Sequence, residues 1–569
     1  MSVAPAAWPA RRATTKGAAI PTTLAAAALL GFAGLMQIRF GAFGDVSWLL
    51  TVCEGWLDGE TPYVDLIETN PPPAILIYWP ATALARLVGV KPEATIAIFG
   101  LVVATVSAAS STALLKGAGL LPRRAPIFGL AALVALALLP GRTFDERDAF
   151  ALQFGLPFIA LMAIRAEGAA VSRFVALAAG AGAGLMVALK LPYGAIPAAL
   201  FLWVVLRRGP RAALRLPEAY AAAAMFASLA AASWIWFPAY FHDVAPAVAA
   251  AYLPVRESWP ALVANVGLIA TLALGGLAVA TSPGSRPEAA TTGFLIAAAG
   301  AAIGYFAQGK GWLYHAYPML ALAVLAFAAA LERRPRDWPA LAAAAALAAL
   351  TYAGAALFDL PPLPTALLSA IVGWLALSRL SPEAGRERLT TLAGGALTGA
   401  ACGFYALSFP GPSPAFTQAM LSYAEHPRIA TIGEGLGLGF PLARNVGGEW
   451  TMRLQGLLMT AGARRLIDQN PHDDALKARL APIIAEDRDR VAEDIVAHKP
   501  DVLLISRHGL RFHAWAMEDP KLAAARAPYR FVMSNPDPAW PVDLYVREDL
   551  IGLRGGSGSE GLPPPDAGP

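Results

Sequence analysis

Asp45 stands just past the first apolar run, where a carboxylate can take a proton from a reacting hydroxyl or cap the helix beginning beside it. Lys310 lies between two glycines in Ala307-Gln-Gly-Lys-Gly-Trp-Leu-Tyr-His-Ala-Tyr-Pro318. Such small neighbours let an ammonium and the backbone come close to a phosphate, while Trp312, Tyr314 and His315 offer stacking faces and hydrogen-bond donors. A membrane-interface aromatic belt with one snorkelling lysine is the competing account. Pro140-Gly-Arg-Thr-Phe-Asp-Glu-Arg-Asp148 packs Arg142, Asp145, Glu146, Arg147 and Asp148 into one short stretch. Either Arg142 or Arg147 meets a phosphate there, or the residues form surface ion pairs with a capping Asp.

Other candidates are more scattered. Lys190 interrupts an apolar stretch, which is costly unless it faces a polar cavity or pairs with a carboxylate such as Asp148. Glu68 could share a cation with Asp243, or Asp243 is simply solvated. Arg444, Trp450 and Arg453 form a candidate acceptor patch. Gly433 to Gly439 lacks the spacing of a dinucleotide loop, and the five His from His426 to His513 lack close metal-ligand spacing. Two cysteines, Cys53 and Cys402, cannot make a disulfide framework and receive no role.

The elements that must position these residues are membrane helices. Of 569 residues 57% are hydrophobic and 15% charged, and the mean hydropathy of +0.52 exceeds that of a soluble globular chain. A net charge of +4 without a basic run excludes a nucleic-acid binder. Apolar runs at 18–40, 94–115, 127–139, 149–164, 174–189, 194–206, 219–237, 261–280, 291–307, 313–331, 338–358, 366–377 and 389–407 give about 13 spans, a count good to one or two. The first run follows Arg11, Arg12 and Lys16 as a secretion signal would, but it is long enough to cross the bilayer and has no cleavage pattern. It reads as an uncleaved span.

With the N-terminus cytoplasmic, 19 of the 27 Lys and Arg before residue 409 fall inside, as the positive-inside rule requires. This makes a multi-pass inner (plasma) membrane protein whose C-terminal part is periplasmic or extracellular. The acidic residues between Asp45 and Glu68, those between Asp145 and Asp148, and Asp243 then share the outer side, where the chemistry is expected. The expected domains are a cytoplasmic segment 1–17, a membrane domain 18–408 with a first outer loop 41–93, a small α/β domain 409–551 and a disordered Gly/Ser/Pro tail 552–569. The α/β reading rests on β-rich runs at 429–432, 502–505, 530–533 and 542–546 and a helical stretch at 474–497.

The first outer loop carries a family signal. Trp48, Leu49, Val52, Trp56 and Leu57 recur at helical spacing opposite Glu54 and Asp58, which predicts an amphipathic helix over 47–57 lying in the membrane interface. Gly59-Glu-Thr-Pro-Tyr-Val-Asp65 and Asn70-Pro-Pro72 follow. Asp45, this helix, these motifs, about 13 spans and an outer C-terminal domain together resemble the GT-C superfamily of membrane glycosyltransferases. That superfamily includes protein mannosyltransferases, aminoarabinose transferases and oligosaccharyltransferase catalytic subunits.

The resemblance covers residues 18–408. It implies an inverting glycosyltransferase moving a sugar from a polyprenyl-phosphate donor to a lipid, glycan or protein acceptor on the outer face of the membrane. Asp45 would be the catalytic base, with Lys310, Arg142, Arg147, Lys190, Glu68, Trp312, Tyr314 and His315 around the donor phosphate and sugar. Many members carry Asp-Glu at the first motif, whereas Val46 follows Asp45 here. Metal independence is therefore expected and no metal ligands are assigned, with a divalent cation left open. Rival readings are a transporter or flippase of lipid-linked sugars, for which the paired halves with interrupted helices are missing, and an inactive scaffold of an envelope-polymer complex.

Overall fold

The computed structural model describes residues 19–122, 125–282, 288–332, 386–408, 413–434, 436–537 and 540–555. The N-terminal segment, the apolar runs at 338–358 and 366–377 and most of the C-terminal tail lie outside the described residues. The other apolar runs all fall on helical segments. Helix α1 (Ala19–Phe40) is followed by α2 (Gly44–Leu57) and α3 (Pro73–Val88), then α4 (Pro92–Gly117), α5 (Pro126–Leu138), α6 (Arg147–Ala166), α7 (Arg173–Leu189), α8 (Ala195–Arg208) and α9 (Pro217–Trp236). After a partly π-helical strap, Tyr240–Tyr252, come α10 (Val266–Thr281), α11 (Ala289–Gln308), α12 (Leu313–Glu332) and α13 (Arg386–Leu407). Among the described helices, α1, α4, α6, α9, α11 and α12 are long and apolar enough to cross a membrane, and α5, α7 and α10 are shorter.

Buried α12 packs against α10 and α11, and α6 packs against α4 and α7. Small residues set the closest crossing. A Cβ at Gly180 or Gly184 would lie 2.3 Å from the Glu218 carbonyl oxygen or 2.4 Å from that of Ala222, so two glycines four apart let α7 lie directly on α9.

Beyond the bundle lies an α/β unit with a five-stranded sheet in the order β2-β1-β3-β5-β4. Strand β1 (Arg428–Ile432) runs parallel to β2 (Glu449–Trp450) and β3 (Val502–Ser506), while β5 (Val542–Arg547) is antiparallel to β3 and to β4 (Tyr529–Ser534). The four β-rich sequence runs fall on β1, β3, β4 and β5. Two-residue β2 had too little pattern to be seen. Helices α14 (Pro414–Leu421), α15 (Leu436–Asn445), α16 (Leu458–Gln469) and α17 (Asp474–His498) cover the sheet, and α17 coincides with the predicted helical stretch.

Helix α2 falls on the expected amphipathic stretch and is packed into the protein. Gly44 to Leu50 are all buried, Trp48 packs on Phe440 of α15 with ring centroids 4.6 Å apart, and Arg444 of α15 grips Glu54 at 2.5 Å. Of the two acidic residues expected on its polar side, Glu54 meets the α/β unit and Asp58 pairs with Arg86 of α3 at 2.6 Å. The first loop is further tied to that unit where the Ile67 amide donates to the Arg453 carbonyl at 2.8 Å.

Candidate active site

The loop from α2 to α3 brings a carboxylate and an amide to the start of α6. Three consecutive prolines, Pro71 to Pro73, open α3 and fix the path of the chain just after Asn70. Tyr63 donates to the Asn70 carbonyl at 2.8 Å, and Glu68 Oε1 accepts from the Asn70 side-chain amide at 2.6 Å. The Asn70 side-chain oxygen then accepts from Arg147 Nη1 at 2.6 Å, and Arg147 Nη2 donates to Asp45 Oδ2 at 2.8 Å. Asp45 sits in the first turn of α2 but makes no side-chain cap, since the N-cap position is Phe43. Its Oδ1 has no partner among the described residues.

Beside this chain of contacts Lys190 pairs with Asp148 at 2.6 Å, and Tyr193 also bonds to Asp148. The surface-ion-pair reading of 142–148 is thus overturned: Asp145, Glu146, Arg147 and Asp148 are all buried, and the pairing runs to other elements. Five carboxylates, Asp45, Glu68, Asp145, Glu146 and Asp148, share this region with Arg147 and Lys190. Both Glu146 oxygens, Glu68 Oε2 and Asp145 Oδ1 are buried with no hydrogen-bond partner among the described residues. Burial pushes Glu68 up to about 7, against the pull of Arg147, and Asp145 up to about 8. Glu146 is raised as well, by burial and by the neighbouring Asp45.

Asp45 also faces a cavity of about 490 Å³ between the bundle and the α/β unit. Its wall includes Lys310 and Trp312 from the turn between α11 and α12, Tyr314 from the first turn of α12, Tyr252, Arg256 and Glu257 from the strap and its continuation, and Glu434 and Arg465 from the α/β unit. Lys310 Nζ donates to the Tyr252 and Val255 carbonyls at 2.6 Å each and lies 4.1 Å from the Tyr252 ring centre. Gly309 and Gly311 on either side both have left-handed φ, so the turn that aims Lys310 suits glycine. Burial, then repulsion from Arg256 and Arg465, pulls the Lys310 ammonium down to about 8.

The sequence candidates divide by place. Asp45, Lys310, Trp312 and Tyr314 line this one cavity, although Asp45 and Lys310 are far apart in sequence. Arg147, Lys190 and Glu68 are not on its wall; they belong to the buried network behind Asp45. His315 is buried against Trp312 and Tyr314, with its Nδ1 unpartnered among the described residues. Arg142 is used elsewhere, donating to the Ala406 carbonyl at 3.0 Å and lying over the Phe40 ring. Asp243 is exposed and does not pair with Glu68.

Arg444, Trp450 and Arg453 line a second cleft of about 370 Å³. There Arg444 is held by Glu54 and Glu93, and Arg453 by Glu493 and Asp494, so both guanidiniums brace the structure. Sequence reasoning missed Asn70, Tyr252, Arg256, Glu434 and Arg465. Arg256 could have been found as a cation between apolar runs on the expected outer side; Glu434 and Arg465 carried no spacing signal. Among the described residues no group of three or more His, Cys, Asp or Glu is arranged to hold a metal ion.

The chain is thus a helical bundle with a short helix tucked under an α/β unit and a cavity at their junction. The chain superposes on the crystal structure of ArnT from Cupriavidus metallidurans bound to undecaprenyl phosphate with a TM-score of 0.54 and 15% identity, covering 94% of this chain and 99% of that one. The apo state of the same protein gives a TM-score of 0.50 at 15% identity, over 92% and 98% of the two chains. This is a likeness of fold. No known family matches the sequence, and neither does any curated protein.

Proposed function

We propose that the chain is a glycosyltransferase that takes a sugar from a polyprenyl-phosphate donor and passes it, with inversion, to a lipid, glycan or protein acceptor. The site would face the outer side of the inner membrane, with the N-terminus cytoplasmic and the α/β unit periplasmic. The observation that carries this reading is the cavity that Asp45 shares with Lys310, in a fold like that of ArnT bound to undecaprenyl phosphate.

Inversion requires the acceptor oxygen to attack the anomeric carbon while the phosphate departs from the opposite face. Asp45 takes the acceptor proton on Oδ1, with Arg147 holding Oδ2 and so fixing the carboxylate's direction. Lys310, fixed by two carbonyls, and Arg256 beside it stabilise the charge that grows on the leaving phosphate. Trp312 and Tyr314 supply faces for the sugar or the first isoprene unit. Side-chain cations carry the charge stabilisation in this scheme, so we propose that transfer proceeds without a metal.

The test is transfer by the purified chain in proteoliposomes. A radiolabelled polyprenyl-phosphate sugar is supplied with an envelope extract as the source of acceptor. Label moving from the prenyl carrier to the extract, and lost in Asp45→Asn, supports the proposal. Label that crosses the bilayer still attached to the carrier would replace it with the flippase reading.

A further inference from the structure

We propose that Arg465 is a donor-phosphate cation supplied by the α/β unit, and that Glu434 occupies it until the phosphate displaces the carboxylate. This rests on the donor reading above. Arg465 Nη2 donates to both Glu434 oxygens, at 2.7 and 2.9 Å, and both side chains line the cavity that holds Lys310 and Arg256. A guanidinium binds carboxylate and phosphate oxygens by the same charge-assisted bonds, so Glu434 is a geometric stand-in for the group the cavity would receive.

The pair is poorly suited to be a strut. Arg465 is 42% exposed, and ion pairs at that exposure contribute little to stability. Its placement is nevertheless tightly set. Leu458, Ala461, Gly462 and Arg465 all line the cavity, which is one face of α16 at helical spacing. On that face a Cβ at Gly462 would stand 2.2 Å from the Ala251 carbonyl oxygen. Glycine therefore lets α16 lie on the strap whose Tyr252 carbonyl holds Lys310, bringing Arg465 into the same space as Lys310. That Arg256 and Arg465 both depress the Lys310 ammonium says the three cations feel one another, and an entering anion relieves that repulsion.

The two partners make opposite predictions. Binding of undecaprenyl phosphate to the full chain in nanodiscs is measured for wild type, Arg465→Gln, Glu434→Gln and the double variant. Arg465→Gln is expected to weaken binding about tenfold, roughly one charge-assisted contact. Glu434→Gln is expected to tighten it about threefold by removing the competing anion, and the double variant to match Arg465→Gln. Weakening by both single variants makes the pair a structural clamp and overturns the proposal, as does an unchanged affinity in Arg465→Gln. Wild type that fails to bind undecaprenyl phosphate overturns the donor reading together with this inference, whereas normal wild-type binding with unshifted variants overturns this inference alone.

Discussion

Arg147 Nη2 donates to Asp45 Oδ2 at 2.8 Å, joining the first residue of α6 to the first turn of α2 across 102 residues of sequence. The same guanidinium reaches Asn70 at 2.6 Å, so one side chain sets the relative positions of α2, the α2–α3 loop and α6. Asp45 is thereby held by one oxygen while the cavity wall receives the residue itself. A base that must meet a hydroxyl at hydrogen-bond distance gains from such fixing, because orientation is settled before substrate arrives.

Asp45→Asn keeps the shape and still offers Arg147 an oxygen, but its amide accepts no proton. Turnover is expected to fall more than about a hundredfold, within the range of a lost general base, while undecaprenyl phosphate binds as in wild type. Rates and binding measured on one reconstituted sample decide it. Near wild-type turnover removes Asp45 from the mechanism.

Lys310 gives the site a pH signature. Its ammonium titrates at about 8 in the free protein, well below an ordinary lysine, and phosphate binding requires the charged form. As pH rises through 8 the ammonium loses its proton, so kcat/KM for the polyprenyl-phosphate donor is expected to fall on the alkaline side. Lys310→Arg, which stays charged, should flatten that limb. Lys310→Ala should weaken donor binding and slow turnover together. An alkaline limb unchanged in Lys310→Arg would assign the titration to another group.

Glu68 makes a stability prediction whose sign follows from its shift. Burial raises its pKa from the ordinary 4.5 to about 7, so between those values the folded chain keeps a proton that the unfolded chain has released. Stability contributed by the neutral form is fully present below about 4.5 and declines as pH rises towards 7. Glu68→Gln is neutral throughout and should show a shallower loss of Tm across that window than wild type. Parallel Tm curves for the two proteins, followed by intrinsic fluorescence in detergent, would place the proton elsewhere, with Asp145 or Glu146 the neighbours to test next.

How far the sequence disclosed this arrangement depends on the kind of signal each residue carries. Hydrophobic runs located the helices outside the undescribed stretch, because a bilayer demands about 20 apolar residues in succession whatever their order. Four strands and α17 were legible for a different reason, the strands as short β-rich runs and α17 by its helical spacing. Position relative to span ends, joined to the family resemblance for Asp45 and to the flanking glycines and aromatic residues for Lys310, picked out two residues that line one cavity. Burial was not legible. The cluster 142–148 looks like surface charge because a sequence cannot say that Arg147 is matched by Asp45 from another helix, although pairing of Lys190 with Asp148 was one of the two options the sequence left open and is the one found. The amphipathic pattern of α2 likewise describes a helix with two environments, without saying that Glu54 meets Arg444 of the α/β unit. Glu434 and Arg465 were invisible because their importance lies in where α16 docks.

That docking makes the last prediction, and Gly462 is the residue to change. Its missing side chain faces the Ala251 carbonyl at 2.2 Å and the Tyr252 Cα at 3.5 Å, both backbone atoms that cannot turn aside as a flexible side chain would. Gly462→Val therefore has to push α16 off the strap. Overpacking of this kind costs about 1–3 kcal/mol, and the displaced face also carries Leu458, Ala461 and Arg465 away from the cavity. Two consequences should appear together: faster protease cleavage between the bundle and the α/β unit, and weaker undecaprenyl phosphate binding, by about tenfold if Arg465 no longer reaches the phosphate. Gly31→Val on α1 is the matched control, since nothing lies within 4 Å of a Cβ there and neither readout should move. A Gly462→Val protein cleaved faster but binding normally would mean that the cavity is complete without the α/β unit, leaving Lys310 and Arg256 on the bundle side to hold the phosphate by themselves.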